Sequence, residues 1–261
     1  MEHSIVAIHP AALHSVDGVL SLAGGLAAPA RAAGGNPQSG GRSVAVLSLC
    51  GVIAQRAPTA LLGSPRYGLT DFQGAFRAAL NDPAIGSILL DVDSPGGSIY
   101  GVGELASEIY GARGQKRIVA IANSMAASAA YWIASAAGEF YVTPGGEVGS
   151  IGVYVAHFDM SGAQKQVGIE TTLISAGKHK VDGNPYQPLD AEARKFMQSR
   201  VDDYYRSFTG AVARHRSTTS ARVRSQMGGG RLLGAGAAHA AGMVDGIASY
   251  RTVIGRLLAG R

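Results

Sequence analysis

Three long apolar runs set the plan of this chain: Ser43–Ile53, Gly86–Val92 and Arg117–Ala122. Each is nearly continuous rather than alternating, the pattern of strands buried on both faces. Between them lie segments of helical spacing. Leu69–Leu80 opens at Thr70 or Asp71 and is stopped by Asn81-Asp-Pro83, and a second helix is expected over Ser98–Gly111. Alternation of strand and helix predicts an α/β fold, with stacked βαβ units, a mainly parallel sheet and flanking helices. Further along, the pattern predicts a helix after Ala126 and strands at Glu139–Thr143 and Gly149–Val155. It then predicts a short helix at Met160–Val167 and a strand at Thr171–Ser175 leading into Ala176-Gly-Lys-His-Lys180. A long amphipathic helix over Asp190–His215 follows, with Phe196, Val201, Tyr204, Phe208 and Val212 near helical spacing. The tail carries a glycine turn at 228–230, a small helix at 235–241 and a last strand at Met243–Ile247. Residues 1–42, rich in Ala, Gly and Pro, read as a flexible segment.

The chemistry gathers where two strands turn into helices. The run Arg117–Ala122 breaks at Asn123-Ser124 and re-enters a small-residue segment, Ala126-Ala-Ser-Ala-Ala130, with Ser128 near a helix start. A strand-to-helix turn presents a hydroxyl at the rim of a sheet, beside N–H groups that have no intrahelical acceptor. The plainer reading of Ser128 is a helix cap in a tightly packed start. One unit earlier, Asp93-Ser-Pro-Gly-Gly97 follows a strand and precedes a helix, so its N–H groups lie at the same sheet edge and suit an oxyanion hole. It lacks the Gly-Lys-Ser/Thr ending of a phosphate-binding loop; by itself, Pro-Gly-Gly is more often only a tight turn. Lys178 and Lys180 follow a predicted strand in an apolar neighbourhood. A desolvated lysine there would lose its proton more easily and serve as a general base, whereas an exposed one would be an ordinary surface charge.

Composition narrows the alternatives. With 46% hydrophobic and 16% charged residues, the chain can build a sizeable core. The net charge of +5 comes from scattered basic residues without interleaved aromatics, which argues against nucleic acid as a partner. Cys50 is the only cysteine, so no disulfide framework or thiolate metal cluster is expected, and no cofactor or metal is implied. No run of about 18 apolar residues is present, which leads to the expectation of a soluble intracellular protein with no membrane partner.

Four ordered segments carry a family resemblance: Asp93-Ser-Pro-Gly-Gly97, Ala126–Ala134, Val148-Gly-Ser-Ile-Gly-Val153 and Gly177-Lys-His-Lys-Val-Asp-Gly-Asn-Pro185. Together they resemble the signal peptide peptidase A family of Ser–Lys serine peptidases, and within it the phage branch of lambda-type capsid assembly proteases. Gly230-Arg-Leu-Leu-Gly and Ala240–Ile247 are similar to the family's closing segment. The resemblance implies a ClpP/crotonase-like fold, with a peptidase domain over 43–248 and a tail over 249–261. Carried over by position, it implies Ser128 as nucleophile, Lys180 as general base, Gly97 and Ala129 as oxyanion donors, and Ser150 as the residue orienting the lysine amine. Lys178 is two residues from Lys180, and spacing does not separate them. Where many members have Gly-Gly after the nucleophile, this chain has Ala129-Ala130, whose methyls would narrow the groove.

The implied activity is a serine endopeptidase with a Ser–Lys dyad. It would cleave scaffold, portal or other head proteins during phage capsid maturation, as a homo-oligomer in the bacterial cytoplasm or inside the procapsid. His157, or His179, offers a histidine base on the same fold. Other readings are a bacterial peptidase degrading signal-peptide remnants, a crotonase-type acyl-CoA enzyme, and a capsid-associated subunit without activity.

Overall fold

The computed structural model describes residues 6–8, 31–33, 43–56 and 68–260. The flexible reading of residues 1–42 and the loop holding Pro58 and Pro65 fall largely outside these residues. In chain order the strands are β1 (Val6–Ile8), β2 (Arg31–Ala33), β3 (Ser43–Ile53), β4 (Ile85–Ser98), β5 (Arg117–Ala127), β6 (Glu139–Val142), β7 (Glu147–Gly149), β8 (Leu232–Gly234) and β9 (Gly246–Ile247). The helices are α1 (Leu69–Asn81), α2 (Val102–Gly111), α3 (Ala129–Ala134), α4 (Ser161–Gln166), α5 (Ala191–His215), α6 (Ser220–Gln226), α7 (Ala235–Ala240) and α8 (Tyr250–Leu258).

The sheet runs β2-β3-β4-β5-β6-β9. From β3 to β9 every neighbour is parallel, so the α/β class with a mainly parallel sheet and flanking helices holds. Alternation along the central strands divides two cores. Leu47, Leu49, Ile88, Leu90, Ile118 and Ala120 face the large core built with α1, α2, α3 and α5. Val44, Val46, Leu89, Val119 and Ile121 face the other side, where α8 lays down Val253 and Leu257. The segment after residue 248 therefore carries a packed helix.

Five predicted strands differ. Two run on through their expected polar turns: β4 continues through Asp93–Ser98 and β5 through Asn123–Ala127. The expected Gly149–Val155 strand is only β7, because Ser150 takes a left-handed backbone (φ 52) that ends it. Met243–Ile247 contributes only Gly246 and Ile247. Thr171–Ser175 is not a strand: it is irregular and exposed, with Ile174 96% exposed. β propensity registers fit to a half-buried pleated surface, and this segment has no such neighbour among the described residues.

The short helix α3 is fixed by its larger side chains. Trp132 stacks on Phe208 of α5 with ring centroids 4.7 Å apart. Tyr131 is buried, and its hydroxyl donates to the Met243 carbonyl at 3.0 Å. Ser135, the residue after α3, donates its hydroxyl to the Trp132 carbonyl and lies 3.0 Å from His215 Nδ1. Because the Ser135 proton is already committed, the His215 contact takes its proton from Nδ1. Burial, and then the nearby Arg214, Arg113 and Arg216, push the His215 pKa down to about 3.

A histidine that charges more readily in the unfolded chain weakens the fold as pH falls. Stability should therefore be complete above about 6.5, the ordinary histidine value, and decline progressively as pH falls toward 3. Melting temperatures of the wild type and His215→Asn between pH 7 and 5, above the carboxylate range, should show a steeper decline in the wild type. Parallel profiles would refute the lowered pKa.

Candidate active site

The site is built at the carboxyl ends of β4 and β5. Ser94 anchors the first turn: its hydroxyl donates to the Gly51 carbonyl at 2.6 Å and accepts the Gly96 N–H at 3.1 Å. Gly97 lies so close to β3 that a Cβ there would overlap the backbone of Ile53. Only glycine permits this approach, which draws the Gly96-Gly97 backbone against the sheet. Sequence reasoning did not single out Ser94 as an anchor, although its position in Ser-Pro-Gly-Gly is that of a turn-forming hydroxyl.

The second turn holds Ser128. It caps α3 with φ 55 and ψ −119, a conformation that costs an ordinary residue on the order of 1–3 kcal/mol. Its N–H donates to the Gly149 carbonyl at 2.7 Å, and its carbonyl accepts from Trp132 N at 3.0 Å. The side chain is buried, and Oγ has no hydrogen-bond partner among the described residues. Ala129 follows in the first turn of α3, where backbone N–H groups have no acceptor within the helix.

Ser150 stands beside this corner. Parallel pairing of β5 with β7 sets Ala127 opposite Gly149, so Ser128 and Ser150 are the next residues on the two strands. Both are buried and both have positive φ. The Ser150 N–H donates to the Arg231 carbonyl at 2.8 Å, tying the corner to the segment entering β8. A Cβ on Gly149 would stand 2.8 Å from that same carbonyl, and its φ of 123 also favours glycine.

The lysines lie elsewhere. Residues 171–180 are all exposed, so the desolvated setting expected for Lys178 and Lys180 is absent in the single chain. Lys178 Nζ is paired with Glu192, at 2.8 and 3.0 Å, and the carboxylate holds its pKa above the usual lysine value. Lys180 Nζ makes no hydrogen bond or ion pair among the described residues, and none reaches Ser128 Oγ. The pairing distinguishes two lysines that sequence spacing left equivalent. The histidines hold the same segment: His157 Nε2 donates to the Asn184 carbonyl at 2.9 Å, and His179 Nδ1 lies 2.9 Å from Asp182. Neither is hydrogen-bonded to Ser128 Oγ. Among the described residues, no group of three or more His, Cys, Asp or Glu is placed to hold a metal, and no helix is long and apolar enough to cross a membrane.

The sequence model of peptidase family S49 matches residues 112–260, more than half of the chain. The chain belongs to peptidase family S49. The S49 match takes in Ser128, Ser150 and Lys180 and begins after the Gly96-Gly97 turn. Among curated proteins, the chain is 40% identical over 175 residues to the head-tail preconnector protein GP5 of Enterobacteria phage P21, covering 65% of this chain and 34% of that protein. It is 39% identical over 173 residues to capsid assembly protease C of Escherichia phage lambda, covering 65% and 39%. The chain thus spans well under half the length of these relatives. Among solved structures, a serine-to-alanine mutant of the 1510-N membrane-bound stomatin-specific protease superposes with a TM-score of 0.52 at 12% identity, covering 81% of this chain and 82% of that one. At that identity the likeness concerns the fold.

Gly149→Ala should force the Arg231 carbonyl away and disturb Ser150 with it. Overpacking of this kind costs about 1–3 kcal/mol. A denaturant midpoint indistinguishable from wild type would mean that the corner yields more easily than its contacts indicate.

Proposed function

We propose that this chain is a serine endopeptidase in which Ser128 is the nucleophile and Lys180 the general base. The observation that carries the reading is Ser128 itself. Its hydroxyl is buried, has no partner among the described residues and sits in a strained strand-to-helix corner, directly beside a second buried serine. Unsatisfied buried hydroxyls are costly, and strained backbone concentrates at functional sites. A structural cap would instead have bonded its hydroxyl to the helix start.

In this reading neutral Lys180 accepts the Ser128 proton as Oγ adds to a peptide carbonyl. The oxyanion receives hydrogen bonds from the Gly97 and Ala129 N–H groups, and removal of one such donor typically costs about 10²–10³ in rate. Collapse of the tetrahedral adduct breaks the C–N bond, and the lysine proton passes to the departing amine. Water then adds to the acyl-enzyme, giving its proton to Lys180; the C–Oγ bond breaks, the lysine proton returns to Ser128, and the second product leaves with a free carboxylate. Ser150 orients the amine. No metal or organic cofactor enters.

Lys180 must approach Ser128 for this chemistry, and the segment bearing it has the surface for assembly. Phe158, Val167, Ile169 and Ile174 are more than half exposed on the same stretch of chain. Burying such side chains is worth roughly 1.5–3 kcal/mol each. Docking of further copies would cover them and desolvate the lysine, which favours its neutral form. We therefore take the working enzyme to be a homo-oligomer. The names of the two phage relatives support head proteins as substrates, namely scaffold, portal or capsid subunits, with cleavage in the host cytoplasm or the assembling head.

Co-expression with the neighbouring head proteins, followed by intact-mass analysis, tests this. Fragments present with wild type and Lys178→Ala, and absent with Ser128→Ala and Lys180→Ala, are the expected result. Fragments that persist with Lys180→Ala would move the base to His157. Identical masses for wild type and Ser128→Ala would remove the peptidase assignment.

A further inference from the structure

The catalytic edge already has a strand on it. β4 is bordered by β3 on one side as far as Val52–Gly96 and Ile53–Gly97. On its other side β5 pairs with it only up to Ser94–Ala126. Past that pair β5 ends at Ala127, and the β4 edge continues alone through Gly96, Gly97 and Ser98. β1 occupies this stretch: Val6, Ala7 and Ile8 pair antiparallel with Ser98, Gly97 and Gly96.

Topology fixes which way β1 points. Because β3 holds one edge of Gly96 and Gly97, β1 must lie on the edge that β5 has vacated. β5 runs parallel to β4 and β1 antiparallel, so the carboxyl end of β1 faces the carboxyl end of β5. Gly96 and Ser128 are each two residues beyond the last β4–β5 pair. Ile8, opposite Gly96, is therefore level with Ser128, at the end of β1 that faces the end of β5. An extended peptide offering its carbonyl to Ser128 and to the Gly97 N–H would use this same edge, by strand addition.

We propose that β1 is a built-in stand-in for a peptide substrate. The Gly96–Ser98 edge takes one extended strand antiparallel to β4, and Val6–Ile8 hold that place until an incoming peptide displaces them. The backbone groups that the Gly96–Ser98 edge turns outward can pair with only one strand at a time, so the two strands exclude one another. Three residues of pairing is short, and short peripheral strands open at low free-energy cost. The inhibitory consequence rests on the peptidase reading; the docking itself does not.

The test uses a chain lacking residues 1–9 and a fluorescein-labelled peptide of residues 1–12, with and without Ser128→Ala. In the Ser128→Ala background the peptide should bind the shortened chain at least about tenfold more tightly than the full chain, whose tethered strand competes at high effective concentration. With Ser128 intact, shortening should lower KM for casein several-fold at unchanged kcat, and the free peptide should inhibit competitively. Peptide binding without casein turnover in either chain would support the strand assignment and remove the peptidase one. Casein turnover with KM unaltered and no peptide binding would overturn the strand proposal alone. A shortened chain that no longer folds would also overturn it, since β1 would then be a permanent part of the sheet.

Discussion

The hydrogen bond from the Ser128 N–H to the Gly149 carbonyl governs the geometry of the whole site. It continues the β5–β7 pairing one step past the last strand residue, and so fixes where β5 stops and α3 starts. With that point set, Ser128 is held in a left-handed conformation, its hydroxyl is turned away from any capping role, and Ser150 becomes its neighbour. The bond in turn depends on Gly149, whose lack of a Cβ lets the Arg231 carbonyl approach and take the Ser150 N–H. Two serines from distant parts of the chain are thus positioned by backbone contacts, independent of their own side chains. Positioning of this kind leaves the Ser128 hydroxyl without a partner among the described residues.

The helix behind Ser128 has the complementary task of not moving. α3 is only six residues long, and its alanines bring little packing of their own. Its stability comes from Trp132 on Phe208, Tyr131 on Met243 and Ser135 beside His215, three attachments reaching α5 and the C-terminal segment. The long helix and the segment at Met243 are therefore the base on which the corner rests.

How much of this was legible in the sequence follows from how local each signal is. β3, β4 and β5 are apolar runs buried on both faces, and a run of that kind needs no partner to be recognised. The two polar breaks in those runs were legible as well, but not as strand ends: β4 and β5 run on through them to Ser98 and Ala127. At Thr171–Ser175 the sequence predicts a strand that the structure does not form, because β-branched composition describes what a segment would do against a surface that the described residues do not provide. Lys178 and Lys180 were indistinguishable at a spacing of two, and what separates them is Glu192, in the first turn of α5. β1 was illegible because three small apolar residues in a segment rich in Ala and Gly have no periodicity to betray them. Its placement is decided by an edge that exists only once β5 has ended.

The surroundings of Lys180 also bear on the choice of base. In its turn, Lys178 is bound to Glu192, and His179 bridges toward Asp182 and Glu192. His157 is held against the Asn184 carbonyl. A general base must exchange its proton with the nucleophile, so a group already committed to a carboxylate or carbonyl must first surrender that bond. Among the described residues Lys180 has no such bond to break, and its long flexible stem can travel where a pinned imidazole cannot. Among the described residues the other polar side chains of this turn, Lys178, His179 and Asp182, are tied to one another or to Glu192, and Lys180 is not.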